Sequence, residues 1–232
     1  MKLSVIIPAL NEEKNIMACI ESAGQLNPLE IIVVDGRSND RTKEIAQGTG
    51  AVVIESPMGR GIQMNAGASF AKGDLLMFLH ADSHLSLRGK AKTSLVQDLL
   101  RITYYDPHHV GGFFRLKFDE ESISTRLVEL FANLRARLFS LPYGDQAIFI
   151  RRDVFEAIGG FNDYPFLEDL DMVLRLRKIG RLKRLPFKVV ASSRRLKKGY
   201  PFSPVVVSLR NALIALLFIA GVSPFSLLRL YK

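Results

Sequence analysis

Apolar, β-branched runs and helix-patterned stretches alternate in this chain from its first residues onward, and few folds accommodate that order. Residues 3–10 form the first run. It is short, contains Pro8 and meets Glu12 and Glu13 where a signal peptide would carry small residues, so it predicts a strand. Asn11 is placed to cap a following helix in which Ile16, Cys19, Ile20 and Ala23 recur on one face, with Gly24 near its end. A second strand over residues 31–34 ends in Asp35 and Gly36. Ser38, Asn39 and Asp40 offer caps for a helix over residues 42–46, and residues 51–54 predict a third strand. Strands separated by helices in this way imply a parallel sheet with right-handed crossovers. With 232 residues, 48% of them hydrophobic, the chain can bury a substantial core.

Residues 75–85, LLMFLHADSHL, concentrate the chemistry. The apolar run over residues 75–79 suits a strand buried on both faces, and His80, Asp82, Ser83 and His84 follow at once. They would emerge at the carboxyl end of that strand, where open α/β sheets bind ligands. Asp82 could there hold a divalent cation that grips a diphosphate; the other reading is an ordinary turn, since Asp and Ser are common turn formers. Asp35, at a strand end and followed by glycine, could accept hydrogen bonds from a base edge or ribose hydroxyls. Residues 59–68, GRGIQMNAGA, either bring Arg60 to a phosphate at a helix start or form a loop that needs only small residues. A dehydrogenase would carry G-x-G-x-x-G after the first strand, but Pro8-Ala9-Leu10-Asn11-Glu12 stands there, and the sequence has no Walker lysine motif.

Three segments in order, residues 4–13 (SVIIPALNEE), 34–42 (VDGRSNDRT) and 78–82 (FLHAD), look like the successive signatures of glycosyltransferase family 2. The resemblance runs over most of the chain. It implies a GT-A fold, an α/β architecture with a Rossmann-like, mostly parallel central sheet flanked by helices. It also implies inverting transfer of a sugar from a nucleotide diphosphate sugar, a UDP- or GDP-sugar, with Mg2+ or Mn2+ as cofactor. By position, Pro8, Asn11 and Glu12 would lie near the nucleotide, Asp35 would contact the base, and Asp82 would be the metal-binding carboxylate of the family's D-x-D motif. His80 stands at the first acidic position of that motif, which leaves His80 and Asp82 as the metal pair with one carboxylate fewer.

Further along, residues 87–109 predict a helix that leaves through Asp106-Pro107, and residues 111–118 alternate as a strand with Arg115 and Lys117 on one face. Residues 122–139 predict a long helix whose Arg126, Arg135 and Arg137 read as a solvated face. Glu168, Asp169 and Asp171 open another helix, where the macrodipole favours acidic residues. In the family a Glu-Asp pair follows a G-G-F segment such as Gly159-Gly160-Phe161, which implies Asp169 as the base for the acceptor hydroxyl, with Glu168 beside it. Asp171, two residues on, is the alternative. The loop containing Asp145 and Gln146, together with residues 192–199, resembles more closely a small bacterial subgroup labelled as arsenosugar-biosynthesis-type glycosyltransferases, and adds Asp145 and Gln146 to the substrate-binding set. Arg194 and Arg195, after a strand over residues 188–191, could hold the departing diphosphate in planar forks, or belong to a solvated basic loop or lipid-surface patch.

The net charge of +9 calls for an anionic partner. Nucleic acid is not expected, because aromatic residues are not interleaved with the basic clusters. Cys19 is the sole cysteine and falls on a helix, which suits a buried apolar role and a reducing cytoplasm. Residues 205–231 are the most hydrophobic region, broken by Arg210, Asn211, Gly221, Pro224 and Arg229. They predict an apolar helix over residues 208–220 that covers the domain or lies in a membrane interface beside the basic residues 178–198. The expected organisation is a catalytic GT-A domain over residues 1–202 and an apolar helical segment over 203–232, in the cytoplasm or at the inner face of the cell membrane. The acceptor stays open, a lipid-linked one included. Two alternatives are a non-catalytic protein docking on anionic membranes and a nucleotidyltransferase, although the latter's Gly-rich, Arg-containing first loop is replaced by residues 8–13.

Overall fold

In a computed structural model, which describes residues 2–87, 90–194 and 204–231, the alternating segments assemble into an eight-stranded sheet. The first half comprises β1 (Leu3–Ala9), α1 (Ile16–Gly24), β2 (Glu30–Asp35), α2 (Thr42–Gly48), β3 (Val52–Glu55), α3 (Arg60–Phe70) and β4 (Leu75–Phe78). The second comprises β5 (Ser83–Ser86), α4 (Lys90–Leu100), β6 (His109–Phe118), α5 (Ile123–Phe139), β7 (Phe149–Arg151), α6 (Arg152–Ala157), α7 (Glu168–Ile179), β8 (Arg181–Ala191), α8 (Pro204–Ile219) and α9 (Pro224–Tyr231). Their order across the sheet is β3-β2-β1-β4-β7-β6-β8-β5. The β3-β2-β1-β4 half is parallel, as the crossover pattern requires. Beyond β4 the sheet is mixed: β7 runs antiparallel to both β4 and β6, β8 is parallel to β6, and β5 is antiparallel to β8.

β1 is buried along its whole length because both faces of the sheet are covered. Val5 and Ile7 join α1 residues such as Ile16 and Cys19 in one apolar layer, while Ile6 joins Met64 and Ala68 of α3 in the other. That split follows from the two-residue period of a strand. α3 lies so close to the sheet that a methyl group on Gly67 would sit 2.4 Å from Ile6 Cγ2 and 2.9 Å from Val34 Cγ2. Glycine there sets the helix–sheet distance.

Several expectations are corrected. Asn11 does not cap α1; the cap position is Asn15. Asn11 instead adopts φ 55°, and its side chain accepts the Asn39 N–H at 2.8 Å while its own N–H donates to Ser38 Oγ at 2.9 Å. This ties together the loops that follow β1 and β2. The helix expected over residues 87–109 ends as α4 at Leu100, continues as a π-turn over Arg101–Tyr105, and gives way to β6 at His109. Residues 83–86, read as part of a polar loop, form β5, and the strand expected over 188–191 begins at Arg181. In the tail, Gly221 at φ 96° separates α8 from α9, and Ile214 and Leu227 bury against Phe166.

Candidate active site

The parallel strands deliver their polar ends to one edge of the sheet. Asp35, the last residue of β2, is 2% exposed. Its Oδ2 accepts the Ser38 N–H at 2.9 Å, while Oδ1 is buried with no hydrogen-bond partner. A buried acceptor left in this state is costly unless a ligand donates to it. Gln63 on α3 fixes the neighbouring strand ends by donating from Nε2 to the carbonyls of Ala9 at 2.9 Å and Val34 at 2.8 Å. Glu12 is buried beside them. Its N–H donates to Thr42 Oγ1 at 2.7 Å and its Oε2 accepts from Asn15 at 2.8 Å. Pro8 lies buried inside β1 next to this cluster.

Asp82 follows β4 and immediately precedes β5. Its carbonyl accepts the Ser192 N–H at 3.0 Å, so the pairing of β5 with β8 brings the segment after β8 to the end of β4. Arg194 consequently forms an ion pair with Glu12 and lies 3.5 Å from Asp82 Oδ2. Arg195 lies outside the described residues. Among the described residues no three His, Cys, Asp or Glu side chains converge as a metal site. A divalent ion at Asp82, which lines a cavity, would be of the kind held by one or two carboxylates and completed by substrate phosphates. His80 packs against Gly144: its Nε2 lies 2.7 Å from the position of a Cβ on that glycine, and Asp169 Oδ2 lies 3.3 Å from the same point.

Asp169 is in the first turn of α7, after Leu167 in the left-handed conformation. Its Oδ2 accepts the Gly144 N–H at 2.6 Å and its Oδ1 the Leu170 N–H at 2.7 Å. Asp171 points elsewhere, to Arg175 Nε at 2.8 Å and Asn162 Nδ2 at 2.9 Å. Glu168 is 2% exposed and pairs with Arg60 Nη1 at 3.4 Å; burial, then the neighbouring charge of Asp169, raise its pKa, against the pull of Arg60. Asp145 is pushed up to about 6 by burial, with Asp169 and Asp82 adding to the shift and Arg135 opposing it.

A cavity of about 500 Å³ has Arg60, His80, Asp82, Asp145 and Asp169 on its wall, whereas Pro8, Asn11, Glu12, Asp35, Glu168 and Arg194 are not among the described residues that line it. Gln146 is likewise absent from that wall. Gln146 is fully buried, donating to the Phe114 carbonyl at 3.2 Å and accepting the Tyr143 N–H at 3.3 Å, so its amide holds the loop together. Arg135, read as part of a solvated helix face, stacks over the Tyr143 ring at 3.4 Å and lines the cavity with it. Helical spacing identified neither residue, because their contact joins two elements. A smaller basic depression of about 230 Å³ between β6 and α5 contains none of the strand-end carboxylates.

The Glycosyl transferase family 2 signature matches residues 4–159 of this chain. The chain belongs to glycosyl transferase family 2. A PGL/p-HBAD biosynthesis glycosyltransferase of Mycobacterium bovis is 32% identical over 183 residues, which cover 74% of this chain and 68% of that protein. A 4,4'-diaponeurosporenoate glycosyltransferase of Staphylococcus haemolyticus is 36% identical over 122 residues, 47% of this chain and 32% of that protein. The chain thus spans about a third of the latter's length. Among solved structures, glucosyl-3-phosphoglycerate synthase of Mycobacterium tuberculosis with Mn2+, UDP and glucosyl-3-phosphoglycerate superposes with TM-score 0.63 at 20% identity, covering 95% of this chain and 80% of that one. A mannosyltransferase of Pyrobaculum calidifontis with GDP-Man and Mn2+ gives TM-score 0.62 at 18% identity, covering 97% and 66%. The fold of this family 2 member is GT-A.

Proposed function

We propose that this chain is an inverting glycosyltransferase that moves a sugar from a UDP- or GDP-sugar to an acceptor hydroxyl. The observation that carries the reading is the unpartnered, buried Oδ1 of Asp35 at the strand-end edge that also presents Asp82. Asp35 would accept from the base, with Asn11 and Glu12 ordering the loops around it. Mg2+ or Mn2+, held by Asp82 with His80 beside it, would supply positive charge to the diphosphate. Arg194, already paired with Glu12 and Asp82, would turn to the diphosphate as it departs, with Arg195 following it in sequence, and Arg60 on the cavity wall is a further cation. Asp169 takes the acceptor proton. The acceptor oxygen then bonds to the anomeric carbon as the bond from that carbon to the diphosphate oxygen breaks, and the diphosphate leaves with the electron pair. The two backbone N–H groups on Asp169 fix its carboxylate for this task, and the pairing of Asp171 with Arg175 leaves Asp169 as the carboxylate of that turn on the cavity wall.

Residues 1–202 would form the catalytic domain and residues 203–232 an apolar segment. Among the described residues no helix is long and apolar enough to cross a membrane. Exposed leucines on α5 and α8, including Leu130, Leu134, Leu213 and Leu216, support peripheral contact with the cytoplasmic face of a membrane. The loop with Asp145 and the segment around Arg194 support placement in the arsenosugar-biosynthesis-type subgroup.

Calorimetry of UDP and GDP with and without Mn2+ tests the donor site. Asp35→Ala should weaken nucleotide binding under both conditions, and Asp82→Ala should remove only the increment due to metal. Equal binding by wild type and both variants would overturn the assignment.

A further inference from the structure

The cavity at Asp169 has two chemically different halves. One carries the ionisable groups already described. The other is lined by Leu116 and Phe118 of β6, Val128 and Ala132 of α5, and Val207 and Leu209 of α8, with Ser208, Arg210 and Asn211 of α8 as its polar members. Leu116 and Phe118 are buried, and with Val128, Ala132 and Ala191 they form an apolar cluster separate from the two layers that cover the sheet. This half therefore belongs to the cavity rather than to the main core.

Its position separates it from the donor. Among the described lining residues none comes from the ends of β1 or β2, where Glu12 and Asp35 stand; the cavity meets the donor side at Arg60, His80 and Asp82. Asp169 lies on its wall, so whatever fills the apolar half is continuous with the hydroxyl that Asp169 would deprotonate. A free sugar is a poor occupant. Against Leu116, Phe118, Val128 and Ala132 its hydroxyls would lose water to carbon atoms that return no hydrogen bond, and the polar lining residues Ser208, Arg210 and Asn211 are confined to α8 and could meet only the part of a ligand that faces that helix. The space of about 500 Å³ is in the range that holds a molecule of drug size.

Resting on the glycosyltransferase reading above, we infer that the acceptor is an amphiphilic alcohol whose apolar skeleton occupies the β6–α5–α8 half of the cavity while its hydroxyl faces Asp169. α8 then has a part in selecting the acceptor. Its Val207 and Leu209 line the cavity together with β6 and with α5, against which the helix packs.

The test uses the full chain and a series of n-alkyl β-D-glucosides from methyl to octyl, each below its micelle-forming concentration. Competition with a fluorescent apolar dye reads their affinity, and UDP binding is measured in parallel. Saturable affinity should rise about fourfold for each methylene that enters the cavity. Ala132→Trp, which fills the apolar half, should flatten the series. Should that variant fail to fold, Leu209→Asp at the exposed rim of α8 tests the same wall. A series without chain-length dependence in wild type, or a slope unchanged in a folded variant, overturns the inference. Non-saturable uptake would mean partition onto the outer apolar helix faces and likewise overturns it. Loss of UDP binding with the alkyl slope intact would count against the glycosyltransferase reading alone.

Discussion

At the scale of single residues, two carboxylates on the cavity wall have opposite surroundings. Asp169 is held by two backbone N–H groups, whereas Asp145 has a buried Oδ1 with no partner and a pKa raised to about 6. Asp169→Asn should leave nucleotide affinity intact and lower transfer by roughly 10²–10⁴-fold, the usual worth of a general base. Asp171→Asn should keep near-normal turnover, since Asp171 is engaged with Arg175; the opposite pattern in steady-state assays would move the role. Asp145 also makes a stability prediction. Its folded pKa lies above the unfolded value, so the folded chain holds the proton more tightly and stability falls as pH rises from about 4 through about 6. Asp145→Asn should therefore raise Tm at pH 8 and change it little at pH 4. A gain of equal size at both pH values would show that ionisation is not the cause.

At the scale of elements, α3 shows how tightly the first half of the sheet is packed. Gly67→Ala would place a methyl group within 2.4 Å of Ile6 and 2.9 Å of Val34. Overpacking of this kind costs about 1–3 kcal/mol, against a helix-propensity gain of at most about 1 kcal/mol. Urea denaturation should register a net loss, and a neutral or stabilising result would mean that the helix can lift off without consequence. The elements also differ in how well the sequence announced them. β1, β2 and β4 were legible because both of their faces are covered and each carries an apolar run of at least four residues. β5 was not, since Ser83, His84 and Ser86 read as a turn and gain strand geometry only by pairing with residues about a hundred positions away. The first part of β8 was hidden for a related reason: Arg181, Lys183 and Arg184 are solvent-facing residues on a strand with buried Leu182 and Leu185 between them. Among site residues, Asp35, Asp82 and Asp169 stood out because each follows or opens a regular element. Arg135 did not, as a helical arginine gains its meaning from Tyr143 on another segment.

At the scale of the whole molecule, α5 and α8 present apolar side chains outward while the chain carries a net charge of +9. That combination suits an anionic bilayer surface, where basic residues attract and leucines insert. Sedimentation with vesicles containing phosphatidylserine should exceed that with neutral vesicles and fall with salt. Leu216→Glu should reduce it by about tenfold, the equivalent of about 1.5 kcal/mol for withdrawing one leucine from an apolar phase. Unchanged sedimentation would assign this face to some other contact.

The ion pair of Arg194 with Glu12 joins residues 182 positions apart, and that of Arg60 with Glu168 joins residues 108 apart. During synthesis the strand that carries Asp35 leaves the ribosome long before its distant partners exist. The first half of the sheet can therefore form while the reaction centre is still missing one wall, and loop-closure entropy delays that wall further. The order of assembly follows: the strand-end edge with Asp35, the proposed seat of the nucleotide, comes first, and the wall with Asp169 and the contacts of Arg194 are completed only after those residues have emerged.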